Sequence, residues 1–141
     1  MAEYMLETKN LGISFGGLKA VDDFNIAIGR TEISGLIGPN GAGKTTIFNL
    51  LTSVYQPTRG TVLVDGMDTS GKNTIQLNHM GVARTFQNIR LFSELSVLDN
   101  VKIAFHSHVK YGLAESVFRV GRYFGEEKQI EEESLKLLKI F

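Results

Sequence analysis

Residues 38–45 read Gly38-Pro39-Asn40-Gly41-Ala42-Gly43-Lys44-Thr45, and a second threonine, Thr46, follows directly. Glycine, four free positions, then Gly-Lys-Thr is the phosphate-binding P-loop pattern. Each fixed position has a physical reason. Gly41 and Gly43 can take backbone conformations that turn successive N–H groups inward, and without a Cβ they let phosphate oxygens come close. Lys44 supplies a positive charge to β and γ phosphates, and Thr45 offers a hydroxyl to Mg²⁺. A helix that starts here adds the positive end of its dipole.

The flanks fit a strand, a glycine loop and a helix in that order. Upstream, Ile33 to Ile37 is short and apolar with small Ser34 and Gly35 inside it, as expected of a strand covered on both faces. Downstream, Ile47, Leu50, Leu51 and Val54 recur at helical spacing, which predicts a helix from about Lys44 to Tyr55 that Pro57 terminates. Further out, Val21 to Ile28 alternates, with Phe24, Ile26 and Ile28 on one face of a half-buried strand before a turn at Gly29 and Arg30. Thr61 to Val64 is a strand pattern, Asp65-Gly66 after it is a hairpin signal, and a short second strand is expected at Met67.

A brief helix is expected from Thr74 to Met80, stopped by Gly81 before a strand-like Val82 to Phe86. Ser96 and Asp99 resemble a capping box, and Val97, Leu98, Val101 and Phe105 line one helical face. From Glu126 a last helix places Ile130, Leu137, Leu138 and Phe141 on one stripe, with Glu126 to Glu133 supplying a solvated face.

Composition limits the partners. With 43% apolar residues in 141, the chain has material for one domain's core. Fifteen basic and fifteen acidic side chains cancel, so no global field points to nucleic acid or to an anionic membrane surface. Any anion site is therefore local. The absence of cysteine excludes disulfides and thiolate metal sites and suits a reducing cytosol. Met1 to Asn10 does not read as a signal peptide, and no run approaches the ~18 apolar residues of a membrane span. Most glycines precede residue 82, so the chain divides into a turn-rich half and a helix-rich half, expected as two layers of one domain.

Three stretches together carry a family resemblance. GPNGAGKTT after Leu36-Ile37 resembles the Walker A loop of ABC ATPases, and Leu11 to Val21 (LGISFGGLKAV) and Val82 to Val101 (VARTFQNIRLFSELSVLDNV) agree with that family. Gln87 stands at the glutamine of the family's Q-loop. Within the family, FGGLKAV and ARTFQNIRLF look most like the ATP-binding subunit of branched-chain amino-acid importers, a likeness that extends to about Phe105. The implied fold is α/β, a P-loop NTPase of the ABC ATPase type, with an antiparallel β layer, the start of a helical arm and a sheet incomplete in this chain. The 141 residues would form the N-terminal portion of a single ATPase domain. In it, 1–37 and 57–70 are mostly β, 38–55 are the P-loop and helix, 82–92 the Q-loop region and 96–141 helical.

The resemblance also implies roles. Phe15 would stack on adenine with Val21 packed beside it, although Phe15 taken alone reads as a core residue. Asn40, Gly41, Ala42, Gly43, Lys44, Thr45 and Thr46 would hold the rest of ATP, and Thr45 and Gln87 would hold Mg²⁺. Lys44 and Gln87 are the catalytic candidates. An amide can serve as a metal ligand yet cannot accept a proton from water, so Gln87 would be a sensor and positioner, not the base. In the family the base glutamate, the LSGGQ-type signature and a switch histidine follow later, and none is in this sequence. This chain would then supply one wall of an ATP site completed by a second ATPase subunit, identical or different. Alone it is expected to be inactive. The strands that flank the P-loop strand would also come from that later part. Implied partners are integral-membrane permease subunits at the inner face of the cell membrane, with the chain cytoplasmic and peripheral and no nucleic acid involved.

Rival readings are a kinase or GTPase, for which no base-reading or acceptor motif is found, and a non-catalytic nucleotide-binding module. Val62-Leu63-Val64-Asp65 mimics a Walker B strand, but Gly66 follows where the glutamate belongs, so a hairpin turn is expected instead. His106 and His108 are two apart and would diverge on a helix. Leu91 and Phe92 are open to two readings: tucked under the next helix beside Leu95 and Leu98, or, with Ile89, lining a groove for a short permease helix.

Overall fold

The computed structural model describes residues 3–86, 91–105, 109 and 111–140. The chain forms two compact units, Met1–Thr85 and Phe86–Phe141.

The first unit is built on a four-stranded antiparallel sheet of order β2-β1-β3-β4. Strands β1 (Leu6–Phe15) and β2 (Leu18–Ile28) form a hairpin closed by Gly16-Gly17, with Phe15 opposite Leu18 and Leu6 opposite Ile28. Strand β2 thus starts earlier than the alternating pattern from Val21. The register of the pair shifts three times between Thr8 and Ser14, and the buried Thr8 hydroxyl donates to the Phe24 carbonyl at 3.1 Å and accepts from the Ile26 N–H at 3.0 Å. Strand β3 (Arg59–Val64) lies on the other side of β1, and β4 (Met67–Asp68) returns from it. The turn between them has Asp65 at φ 48° and Gly66 at φ 76°, the two left-handed residues of a type I′ hairpin. Asp65 also pairs with Arg30 at 2.6 Å, which makes it a turn residue and disposes of the Walker B mimic.

Helix α1 (Lys44–Leu51) covers the sheet. Its Ile47 and Leu50 join Leu11, Ile13, Val21 and Val62 in one buried cluster, worth roughly 1.5–3 kcal/mol for each large side chain removed from water. The helix ends before the expected Tyr55. Ser53 turns left-handed at φ 52°, and the N–H groups of Val54 and Tyr55 both donate to the Asn49 carbonyl. This reversal stops the helix upstream of Pro57, and Val54 is left 47% exposed.

Two expected strands are absent. Residues 33–37 and 82–86 have no strand conformation, and Ile33 is fully exposed. A strand exists only as part of a ladder, and among the described residues none runs beside either segment. Helix α2 (Thr74–His79) is present, and its Asn73 and Gln76 exchange the two hydrogen bonds of a capping box.

The second unit contains α3 (Val97–Phe105), α4 (Leu113–Phe118) and α5 (Tyr123–Leu138). Ser96 caps α3: its hydroxyl accepts from the Asp99 N–H at 3.1 Å and donates to the Asp99 carboxylate at 2.6 Å. Leu98, Val101 and Phe105 are half-buried, but Val97 is exposed. Helix α3 packs on α5, where Glu127 accepts from the Tyr111 hydroxyl at 2.6 Å and pairs with Lys102 at 3.7 Å. Helix α5 begins at Tyr123, before Glu126, and its buried positions are Ile130 and Ser134. Leu137 is exposed, because the stripe steps by four from Ile130 through Ser134 to half-buried Leu138. Phe141 lies outside the described residues.

Candidate functional site

The P-loop sits between residues 33–37 and α1, and its shape comes from three glycines. Gly38, Gly41 and Gly43 have φ of 156°, 85° and 80°. Gly43 is the left-handed residue that opens α1, and a Cβ there would lie 2.8 Å from the Ala20 carbonyl oxygen and 3.5 Å from Val21 Cγ2. Only glycine lets the loop rest this closely on β2. Inside the loop the Ala42 N–H donates to the Pro39 carbonyl at 3.2 Å, and the first helical turn closes with the Ile47 N–H on Gly43 at 2.9 Å.

Lys44 folds back along its own loop. Its Nζ donates to the carbonyls of Gly38 at 2.6 Å and Pro39 at 2.7 Å. No side chain caps the start of α1 and no acid stands in its first turn, so its leading N–H groups and dipole face no built-in anion. Asn40, Gly41, Ala42 and Thr45 are exposed, while Gly43, Lys44 and Thr46 are half-buried. Such a loop can wrap an oxyanion, with a cation held at its edge.

Phe15 is at the end of β1 and 46% exposed, with its ring edge-on to Tyr55 at 5.4 Å between centroids. Val21 lies in the core cluster and backs the loop beneath Gly43. A cavity of about 450 Å³ beside Ala42 is bordered by Ala20, Asp22, Asp23, Asn25 and Ile47. Hydrogen bonds from the side chains of Asn10 and Asn25 hold the Asp23 carboxyl below its usual range. Arg59 stands 3.7 Å from Asp22 and 3.9 Å from Asp23, and Lys19 pairs with Asp22 at 3.1 Å, so the carboxylates on that side are matched by cations.

Gln87 and Ile89 lie outside the described residues, as do His106 and His108. The segment leading to Gln87 is tied to α1, because the Arg84 guanidinium donates to Asn49 Oδ1 at 2.8 Å. Leu91 and Phe92 are 70% and 59% exposed, which corrects the tucked-under reading. Phe92 is held through its backbone: its N–H donates to Asn100 Oδ1 at 2.9 Å, and Asn100 Nδ2 donates to its carbonyl at 3.1 Å. That clamp fixes the main chain and leaves the ring outside.

Sequence reasoning missed the contacts that brace the site. Tyr55 looked like the last residue of a helix, and nothing local announces a partner forty positions upstream. Ala20 gives no signal either, since it contributes a backbone carbonyl. For Arg84 and Asn49, helical spacing from Lys44 does set Asn49 on α1, but not which residue meets it.

A family model described as "ABC transporter" matches residues 21–139. The chain is 39% identical over 132 residues to the high-affinity branched-chain amino acid transport ATP-binding protein BraF of Pseudomonas aeruginosa, covering 94% of this chain and 52% of that protein. It is 44% identical over 119 residues to LivG of Escherichia coli K12, a protein with the same description, covering 84% and 47%. A crystal structure of a nucleotide-free ATP-binding cassette from an ABC transporter superposes with a TM-score of 0.73 at 31% identity, over 96% of this chain and 53% of that one. The ADP conformation of the cassette MJ1267 gives 0.67 at 32% identity, over 83% and 46%. The chain thus spans about half the length of the relatives it matches.

Proposed function

The chain belongs to the ABC transporter family, and from that premise we propose that it holds ATP as one wall of an ATPase site whose turnover drives import of branched-chain or related amino acids. The observation that carries the reading is the loop from Gly38 to Thr45, in which Gly43 opens an uncapped helix and Lys44 is held at the loop's edge. Phosphate oxygens take the backbone N–H groups of Asn40, Gly41, Gly43, Thr45 and Thr46, and that of Ala42 as it leaves or shares its 3.2 Å bond to the Pro39 carbonyl. Lys44 meets the β and γ phosphates, shifting from the two carbonyls or sharing its three protons with them. Phe15 receives the base on its exposed ring, a contact worth roughly 1–3 kcal/mol where bases stack on aromatics.

The exposed Thr45 offers a hydroxyl oxygen, a donor that suits a hard cation, and by the family resemblance Gln87 would add an amide oxygen. Bound there, Mg²⁺ offsets the charge of the transferring phosphoryl group. By the same resemblance Gln87 would orient the attacking water and remove no proton, and on this reading the 141 residues taken alone bind ATP without turnover. The relatives described as branched-chain amino acid transport ATP-binding proteins support the amino-acid class, which permease and binding protein choose and this fold does not.

Among the described residues no helix is long and apolar enough to cross a membrane; the proposed subunit reaches the cytoplasmic face through permease partners. Exposed Leu91 and Phe92 suit the groove for a short permease helix, and a second ATPase subunit closes the nucleotide site. The test is ATP turnover by the intact subunit with its permease, beside Lys44→Ala. Turnover lost in the variant is expected; ATP bound but never hydrolysed by the intact protein would reduce it to a nucleotide-binding module.

A further inference from the structure

Phe15 sits at the end of β1 next to the Gly16-Gly17 turn, with Gly16 at φ 58° and no atom within 4 Å of where either glycine's Cβ would lie. Tyr55 is anchored differently. Its N–H is fixed to the Asn49 carbonyl at 3.0 Å, and Gln56 and Thr58 just after it are pinned as well. Gln56 donates through Nε2 to the Lys72 carbonyl at 2.9 Å and accepts the Gly71 N–H at 3.3 Å, while the Thr58 N–H donates to the Gly12 carbonyl at 3.0 Å. The two rings meet edge to face, 5.4 Å apart at 75°, the preferred geometry of an aromatic pair. Phe15 stays 46% exposed and Tyr55 39%, so the contact leaves ring surface open.

We propose that Tyr55 is a positioning residue for adenine-nucleotide binding: a fixed aromatic brace that sets the rotamer of Phe15 beside the Gly16-Gly17 turn, so that the base finds the ring already in place. The inference rests on the adenine role given to Phe15 above. A brace acts by sparing Phe15 the ordering cost at the moment of binding. Its effect therefore falls on the base and not on the phosphates, which Lys44 and the loop hold separately.

The experiment compares affinity for ATP with affinity for inorganic triphosphate, by calorimetry on the intact subunit. Tyr55→Ala is expected to weaken ATP binding about two- to tenfold and leave triphosphate unchanged, Tyr55→Phe to bind both as the parent does, and Tyr55→Leu to behave as Tyr55→Ala with an unchanged melting temperature. Phe15→Ala is the control and should lower the same ratio. The inference is overturned if Phe15→Ala lowers the ratio and Tyr55→Ala does not, or if Tyr55→Ala and Tyr55→Leu weaken both ligands alike, the signature of a structural residue. If Phe15→Ala leaves the ratio unmoved, the base is not on Phe15 and both the adenine role and its brace fall; if neither ligand binds the parent, the P-loop reading falls first.

Discussion

Gly43 rests against the main chain of Ala20 so closely that a Cβ on it would stand 2.8 Å from the Ala20 carbonyl oxygen. The loop and the sheet are therefore one mechanical piece. A methyl at Gly43 meets both that backbone atom and a left-handed φ of 80°, the latter alone costing about 1–2 kcal/mol. Gly41 shares the conformation, at φ 85°, but has nothing within 4 Å. Gly43→Ala should thus destabilise by more than Gly41→Ala in chemical denaturation, the gap being at least about 1 kcal/mol. Equal losses would mean that the loop is not seated on β2.

A larger effect is expected at Gly60. The bulge between Lys9 and Gly12 lets β3 cross β1 so tightly that a Cβ on Gly60, at φ 75°, would overlap the Asn10 and Lys9 carbonyls. Both obstacles are backbone, so neither can swing away. Gly60→Ala should cost about 4 kcal/mol or more, in the exceptional range for one substitution, read as a lowered denaturation midpoint. A loss under about 1 kcal/mol would show that the crossing can open.

These two glycines mark what a sequence can and cannot disclose. The P-loop, the Asp65-Gly66 hairpin and the start of α1 follow from local chemistry, and each is where the pattern put it. Ile33 to Ile37 looked like a strand because its composition is that of a buried one, yet a strand depends on neighbours that composition does not contain. The left-handed Ser53 ended α1 early without a glycine or proline to announce it. In the candidate site the loop residues from Gly38 to Thr46 are contiguous and legible, whereas the pairs Phe15–Tyr55 and Asn49–Arg84 are made by tertiary packing.

In the helical unit the Tyr111 hydroxyl donates to Glu127 at 2.6 Å. That hydrogen bond, with some desolvation, pushes the Tyr111 pKa up to about 12. An unfolded tyrosine titrates near ~10, so the folded form keeps its proton longer. The stabilisation is complete below about pH 10 and is lost as the pH rises through about 12. Tyr111→Phe should cost about 1 kcal/mol at neutral pH, and the gap to the parent in urea denaturation should close across that alkaline window. A gap that persists unchanged at the top of the window would remove the hydrogen bond as its cause.

Leu91 and Phe92 face solvent at 70% and 59% exposure, and single surface substitutions of such residues usually change stability by no more than about 0.5 kcal/mol. Changing both to Ser should leave melting temperature and ATP affinity near the parent's while abolishing co-purification with the permease and amino-acid uptake. A markedly lower melting temperature would return both side chains to the core and remove the docking role.

Lys44 reaches the Gly38 and Pro39 carbonyls at 2.6 and 2.7 Å, and both acceptors are exposed loop atoms that water can satisfy once the lysine is gone. Lys44→Ala should therefore fold normally. A charge-assisted phosphate contact is worth about 1.5–3 kcal/mol, so the variant should bind ATP at least about tenfold more weakly, or not measurably, in calorimetry beside the parent. ATP binding by the parent together with this loss in a variant of unchanged melting temperature is the predicted result. Unaltered affinity in Lys44→Ala would contradict the assignment of Gly38 to Thr45 as the phosphate site.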